Sequence, residues 1–90
     1  MSEKINLKVS GRSDPQKVSG ALFRYVGKGT KVQLTAIGAS AVNQAVKALA
    51  ISRGMIASAG SDLVFTVGFV DEEVSGDIKT AMRFFVHISE

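Results

Sequence analysis

The residues of this chain that could do chemistry lie at its turns. Gly38-Ala39-Ser40-Ala41-Val42 carries the first glycine and the serine of a nucleophile elbow, the sharp strand-to-helix turn that exposes a serine Oγ, but Val stands where that turn needs its second Gly. A Ser, Asp, His order exists in Ser40, one of Asp62, Asp71 or Asp77, and His87. Ninety residues are too few for the sheet, oxyanion loop and pocket of that enzyme class. Ser40 at a helix start is accounted for as a cap, and His87, the one histidine, as a residue near the end of a strand. Gly27-Lys28-Gly29-Thr30 has the composition of a phosphate-cradling loop, yet it follows a helix and precedes a strand, the reverse of that loop's setting. Asp71, Glu72, Glu73 and Asp77 lack the alternating oxygen ligands and closing Glu of a calcium loop, and are expected at a solvated hairpin tip. The expectation is therefore a protein that is not an enzyme and holds no cofactor and no metal.

Binding is better represented than catalysis. Lys17, Arg24 and Lys28 are spaced by seven and four residues, which on a helix puts them within about 40° of one another and opposite Leu22 and Val26. Lys8, Arg12 and the Gly11 turn precede the same helix, whose free N-terminal amides favour anions. The Gly38-Ala39-Ser40 turn is a second helix start of this type, small enough for a phosphate to approach the backbone, with Asn43 and Lys47 one turn apart beside it. Phe23 falls off the core stripe and is available to a base or to a partner subunit.

The elements that must position these residues follow from periodicity. Ile5, Leu7 and Val9 alternate with Lys4, Asn6 and Lys8, the pattern of a half-buried strand. Asp14-Pro15 opens a helix over about residues 15–28, with Asp14 as cap and Val18, Leu22, Tyr25 and Val26 as its core stripe. Val32, Leu34 and Ala36 mark a second strand. Ala41 to Arg53 is a second helix, expected to stop at Gly54 and apolar nearly all round, with Ala41, Ala48, Ala50 and Ile51 outside its core stripe. Asp62 to Val70 and Asp77 to Ile88 form an antiparallel hairpin around Asp71–Gly76. The order βαβαββ predicts one domain over residues 1–90: an α/β two-layer sandwich with a four-stranded mixed sheet and both helices on one face.

Composition bounds the rest. The 46% hydrophobic content supports one core, and neither cysteine nor a Cys/His cluster is there to staple it, which leaves self-association as the added source of stability. The longest apolar run, Ala48-Leu49-Ala50-Ile51, is far short of a membrane span or a signal-peptide core, so a cytoplasmic protein with no membrane contact is expected. A net charge of +3 hides a division: residues 1–61 hold nine Lys and Arg against two Asp and Glu, and residues 62–90 hold two against six.

Several blocks together resemble the stage V sporulation protein S family. They are Leu7-Lys8-Val9-Ser10, Val18-Ser19-Gly20-Ala21, Ala36-Ile37-Gly38-Ala39, Asn43-Gln44-Ala45-Val46-Lys47-Ala48 running into Ala50-Ile51-Ser52-Arg53-Gly54, Asp62-Leu63 and Thr80-Ala81. That family in turn resembles the Alba-like fold of small dimeric nucleic-acid binders, related in topology to the C-terminal domain of bacterial translation initiation factor three. The resemblance implies a strand order of 1-2-4-3 and a regulatory role. Alba-like binders commonly carry basic side chains in the turn before helix two and on the hairpin tip, where this chain has Ala39, Ser40 and the acidic Asp71, Glu72 and Glu73.

The expectation drawn from both lines is a homodimeric regulator that binds DNA or RNA through phosphate contacts with little sequence specificity. Its surface would be assembled from Lys8, Arg12, Lys17, Arg24, Lys28, Gly38, Ser40, Asn43 and Lys47. The rival is a protein-interaction module in which Phe23 and the apolar outside of helix two dock a protein partner.

Overall fold

The computed structural model describes residues 3–89. Strand β1 (Lys4–Val9) leads into helix α1 (Pro15–Gly27), strand β2 (Lys31–Ala36), helix α2 (Ala39–Ser58) and the two long strands β3 (Asp62–Val74) and β4 (Asp77–Ser89). The sheet order is β1-β2-β4-β3, as expected. β1 and β2 are parallel, from Lys4↔Lys31 to Val9↔Ala36, because a helix carries the chain back between them. β4 is antiparallel to both of its neighbours. Ile5, Leu7 and Val9, Val32, Leu34 and Ala36, and Leu63 with Phe84 form the helix-side layer of the sheet, and α1 and α2 cover that face.

Helix α1 begins as its sequence requires. Asp14 stays extended before Pro15, and its carboxylate accepts a hydrogen bond from the Gln16 amide at 2.9 Å. Leu22 is fully buried against the sheet, with Val18, Tyr25 and Val26 packed around the same core.

Helix α2 departs from expectation at both ends. It passes through Gly54 and ends before Gly60, whose φ of +89° is the left-handed geometry that stops a helix. A glycine inside a helix costs only about 1 kcal/mol, whereas the extra turns bury Ile56 in the core. At the other end Gly38 occupies the cap position with no side-chain capping bond, and its carbonyl accepts from the Val42 amide at 3.0 Å. Ser40 therefore lies inside the first turn and is not the cap.

Much of the apolar circumference of α2 is consumed within the chain, while Val46, Ala50 and Met55 stay exposed. Ala41, Ala45, Leu49 and Ile56 join the sheet-side core, while Ser52 faces α1, where its hydroxyl donates to the Ala48 carbonyl and accepts from Ser19 Oγ at 2.7 Å. Ala48, one turn earlier on that stripe, is fully buried, and Ile51 is half-buried. Neither supplies the outer docking face that the sequence suggested, because small side chains here serve close helix-to-helix packing.

The hairpin is longer than expected. Its ladder runs without a break from Asp62↔Ser89 to Val74↔Asp77, and the turn is Ser75-Gly76, both with positive φ (52° and 85°), the two-residue geometry that matches strand twist. Asp71, Glu72 and Glu73 are strand residues and do not form the tip. Cross-strand pairing satisfies their backbone, so their charge does not force a loop. Because β2 pairs β4 only from Gln33↔Phe85 to Ala36↔Met82, the outer half of the hairpin continues past the sheet as an arm.

Candidate nucleic-acid interface

The loop after β1 and the start of α2 are one structural unit. A Cβ on Gly11 would lie 2.1 Å from Ser40 Oγ and 3.3 Å from Ser40 Cβ, so a side chain there requires the Ser40 hydroxyl to turn away and the loop to give slightly. The Gln44 side-chain amide donates to the Ser13 carbonyl at 2.9 Å. Within the loop, Ser13 Oγ accepts from the Ser10 amide and Ser10 Oγ accepts from the Arg12 amide. Four bonds and contacts of this kind fix where Arg12 leaves the loop.

Around this junction the structure gathers much of the expected surface. Lys8 and Lys17 line a shallow hollow of about 290 Å³ beside Ser13 and the capping Asp14. Gly38, Ser40 and Asn43 are exposed at the start of α2, and Lys47 is exposed one turn beyond Asn43. Arg24 and Lys28 are exposed but lie far along α1: the eleven residues from Lys17 to Lys28 span about 16 Å at 1.5 Å per residue. They form the distal end of a ridge and are not part of the junction.

The sheet order separates the charges only in part. β1, the first loop, α1 and the start of β2 carry seven of the nine cations of residues 1–61 to one side, but α2 brings Lys47 and Arg53 over to β3, and Glu72 and Glu73 share a hollow with Lys8 and Gly11. Among the described residues only two ion pairs form, Arg53 with Asp62 at 2.9 Å and Arg83 with Glu72. Lys8, Arg12, Lys17, Arg24, Lys28 and Lys47 are in neither. The Arg53 hydrogen bond holds the Asp62 carboxyl below the usual carboxylate range and links the C-terminal part of α2 to the start of β3.

The Stage V sporulation protein S (SpoVS) family matches residues 5–89, from β1 to the last residue of β4. The chain belongs to this family. The order 1-2-4-3 that the family resemblance implied is the observed one, and the SpoVS block from Asn43 to Gly54 proves to be most of α2. Its residues divide by task in this SpoVS chain: Gln44 ties down the first loop, Ala45, Ala48 and Ser52 pack the interior, and Asn43 and Lys47 remain outside. No described helix is long and apolar enough to cross a membrane.

Sequence reasoning passed over one polar system on the sheet face without helices. Asn6, Thr35, Arg83 and Glu72, one from each strand, form a continuous chain of hydrogen bonds. Arg83 alternates with the core residues Met82 and Phe84, which placed it on this face. Its partner Glu72 becomes legible only once the turn is set at Ser75-Gly76.

Proposed function

We propose that this SpoVS-family chain is a non-enzymatic regulatory protein of the cytoplasm that binds nucleic acid as a homodimer, through phosphate contacts and with little base readout. The observation that carries the reading is the Gly11–Ser40 junction. It joins the first loop to the start of α2, whose first amides no side chain caps, in one surface edged by Lys8, Arg12 and Lys17, cations that no described carboxylate pairs. The α1 ridge through Arg24 and Lys28 extends that surface along the helix. The acidic arm borders one edge of this surface, where its Glu72 and Glu73 share a hollow of about 250 Å³ with Lys8 and Gly11. The phosphate path therefore runs on the α1 side of Lys8. The arm's Asp71 and Glu73 would repel a phosphate backbone, and Arg83 is taken by Glu72.

The arm supports the homodimer. Phe69 is 78% exposed and Ile78 66%, both on the helix side of the hairpin and past the cover of the helices. Asp71 and Glu73 lie among them on the same face, while α2 exposes Val46 beside Lys47, so a second copy offers apolar and charged complements together. Binding of single- and double-stranded oligonucleotides across a range of salt tests the reading. A log–log slope of several units supports it, and absence of binding near 50 mM salt favours a module whose partner is a protein.

A further inference from the structure

β2 and β4 do not pair along their full length. Their ladder ends at Gln33↔Phe85, yet β2 continues to Lys31, paired there only with β1, and β4 continues to Ser89, paired there only with β3. The two strands fork. The fork holds a hollow of about 520 Å³, within the ~300–1,000 Å³ range of small-molecule sites.

Three kinds of group line it. Val32 and Val86 supply apolar walls, Phe85 and His87 supply flat rings, and Lys4 and Lys31 supply two ammonium groups that form no ion pair among the described residues. The strand edges facing each other across the fork carry backbone N–H and C=O groups that the β2–β4 ladder does not use. The carbonyl end of α1 borders the fork, and two of its last carbonyls are closed by amides of the following turn. The Gly29 amide closes on the Val26 carbonyl and the Thr30 amide on the Tyr25 carbonyl, each at 3.0 Å.

A bare phosphate would use the lysines and waste the apolar walls, and an apolar ring alone would leave two cations unanswered. We propose that the fork binds a nucleoside monophosphate unit, with its phosphate at Lys4 and Lys31 and its base against Phe85 and His87. Backbone groups of the fork face the base edge. The site is at the opposite end of the sheet from the Gly11–Ser40 junction, since β1 and β2 both run from the fork toward that junction. It stands whether or not the α1 ridge binds nucleic acid.

The test is a titration of the isotope-labelled full chain, followed by amide shifts, with AMP, adenosine and inorganic phosphate as separate probes. AMP is expected to move the Lys31, Val32, Val86 and His87 amides and to bind about tenfold or more tighter than adenosine or phosphate. Lys31→Glu should weaken AMP by a similar factor. Because Lys31 is exposed, Lys31→Gln offers a milder variant that keeps the fold, and Phe85→Leu, which removes the ring and keeps an apolar side chain, should weaken AMP. Replacing Lys8, Arg12 and Lys17, at the opposite end of the sheet, should change nothing here. A 5′-phosphorylated trinucleotide that binds as AMP does identifies a strand end as the source, and its exclusion identifies a free nucleotide. Shifts confined to other parts of the chain, AMP no tighter than phosphate, no shift at millimolar AMP, or indifference to Lys31→Gln would each overturn the proposal.

Discussion

Arg83 Nε donates to Thr35 Oγ1 at 2.8 Å, and the same hydroxyl donates to Asn6 Oδ1 at 2.7 Å. Thr35 thus serves as acceptor and donor at once, and it is almost fully buried although no helix covers its face. Arg83 reaches in the other direction to Glu72, over the buried Ala81. Removing the hydroxyl by Thr35→Val leaves the Arg83 Nε–H without its acceptor and the Asn6 carbonyl without its donor, a loss of about 1–3 kcal/mol. Urea unfolding should show a lower midpoint at unchanged slope, and Glu72→Gln should destabilise more than Glu73→Gln, whose side chain is exposed. Equal midpoints for wild type and Thr35→Val would show that the relay does not contribute.

Gly54 lies in the interior of α2, and a Cβ placed on it meets nothing within 4 Å. Gly54→Ala is expected to stabilise the chain by about 0.5–1 kcal/mol, through helix propensity and the reduced freedom of the unfolded chain. Thermal unfolding measures it. A lower melting temperature would mean that the helix ends at Gly54 after all.

Much of the fold was legible because its signals are local. Period-two alternation found β1 and β2, and Asp14-Pro15 found the start of α1, whereas the division of charge along the chain is partly undone in space, because α2 packs on β3 and Glu72 and Glu73 come up to Lys8. What was not legible depended on distant partners. The extension of α2 past Gly54 is decided by burial of Ile56, and the interior position of Ala48 by the meeting of Ser52 with Ser19 on α1. Asp71 to Glu73 look like loop residues by composition, and only a ladder to Lys79 and Thr80 makes them strand. For the candidate site, exposure of the basic residues could be read from helix spacing, but the joining of the first loop to α2 could not. It rests on Gly11 against Ser40 and Gln44 on the Ser13 carbonyl.

That junction has its own test. Gly11→Ala drives a methyl into Ser40, and the expected cost is about 1–3 kcal/mol. Pairing it with Ser40→Gly, which removes the atoms in the way, should restore part of the loss, whereas two independent sites would simply add. A thermal-denaturation double-mutant cycle reports the difference.

The dimer surface is tested by contrast. Ala48→Glu buries a charge between the helices and should abolish folding, as read by loss of the cooperative transition. Phe69→Lys and Ile78→Lys alter exposed positions on the arm, so the chain should remain folded while its sedimenting mass at micromolar concentration falls from two copies to one. A dimer indifferent to both arm variants would place the contact on another face.

The central claim is that phosphate is met by the basic edge of α1 and the first loop, and not by the hairpin arm. The measurement is the salt dependence of oligonucleotide binding for Lys17→Glu/Arg24→Glu/Lys28→Glu against wild type, with Asp71→Gln/Glu73→Gln as control. Glu72 is left in place because Arg83 depends on it. The ridge variant should bind every sequence more weakly, and its log–log slope should be shallower by about 2–3 units, roughly one counterion for each lost phosphate contact and up to twice that in a dimer. The arm control should bind as well as wild type or better. Loss of binding in the arm control with an unchanged slope in the ridge variant would contradict the account and move the nucleic acid to the hairpin.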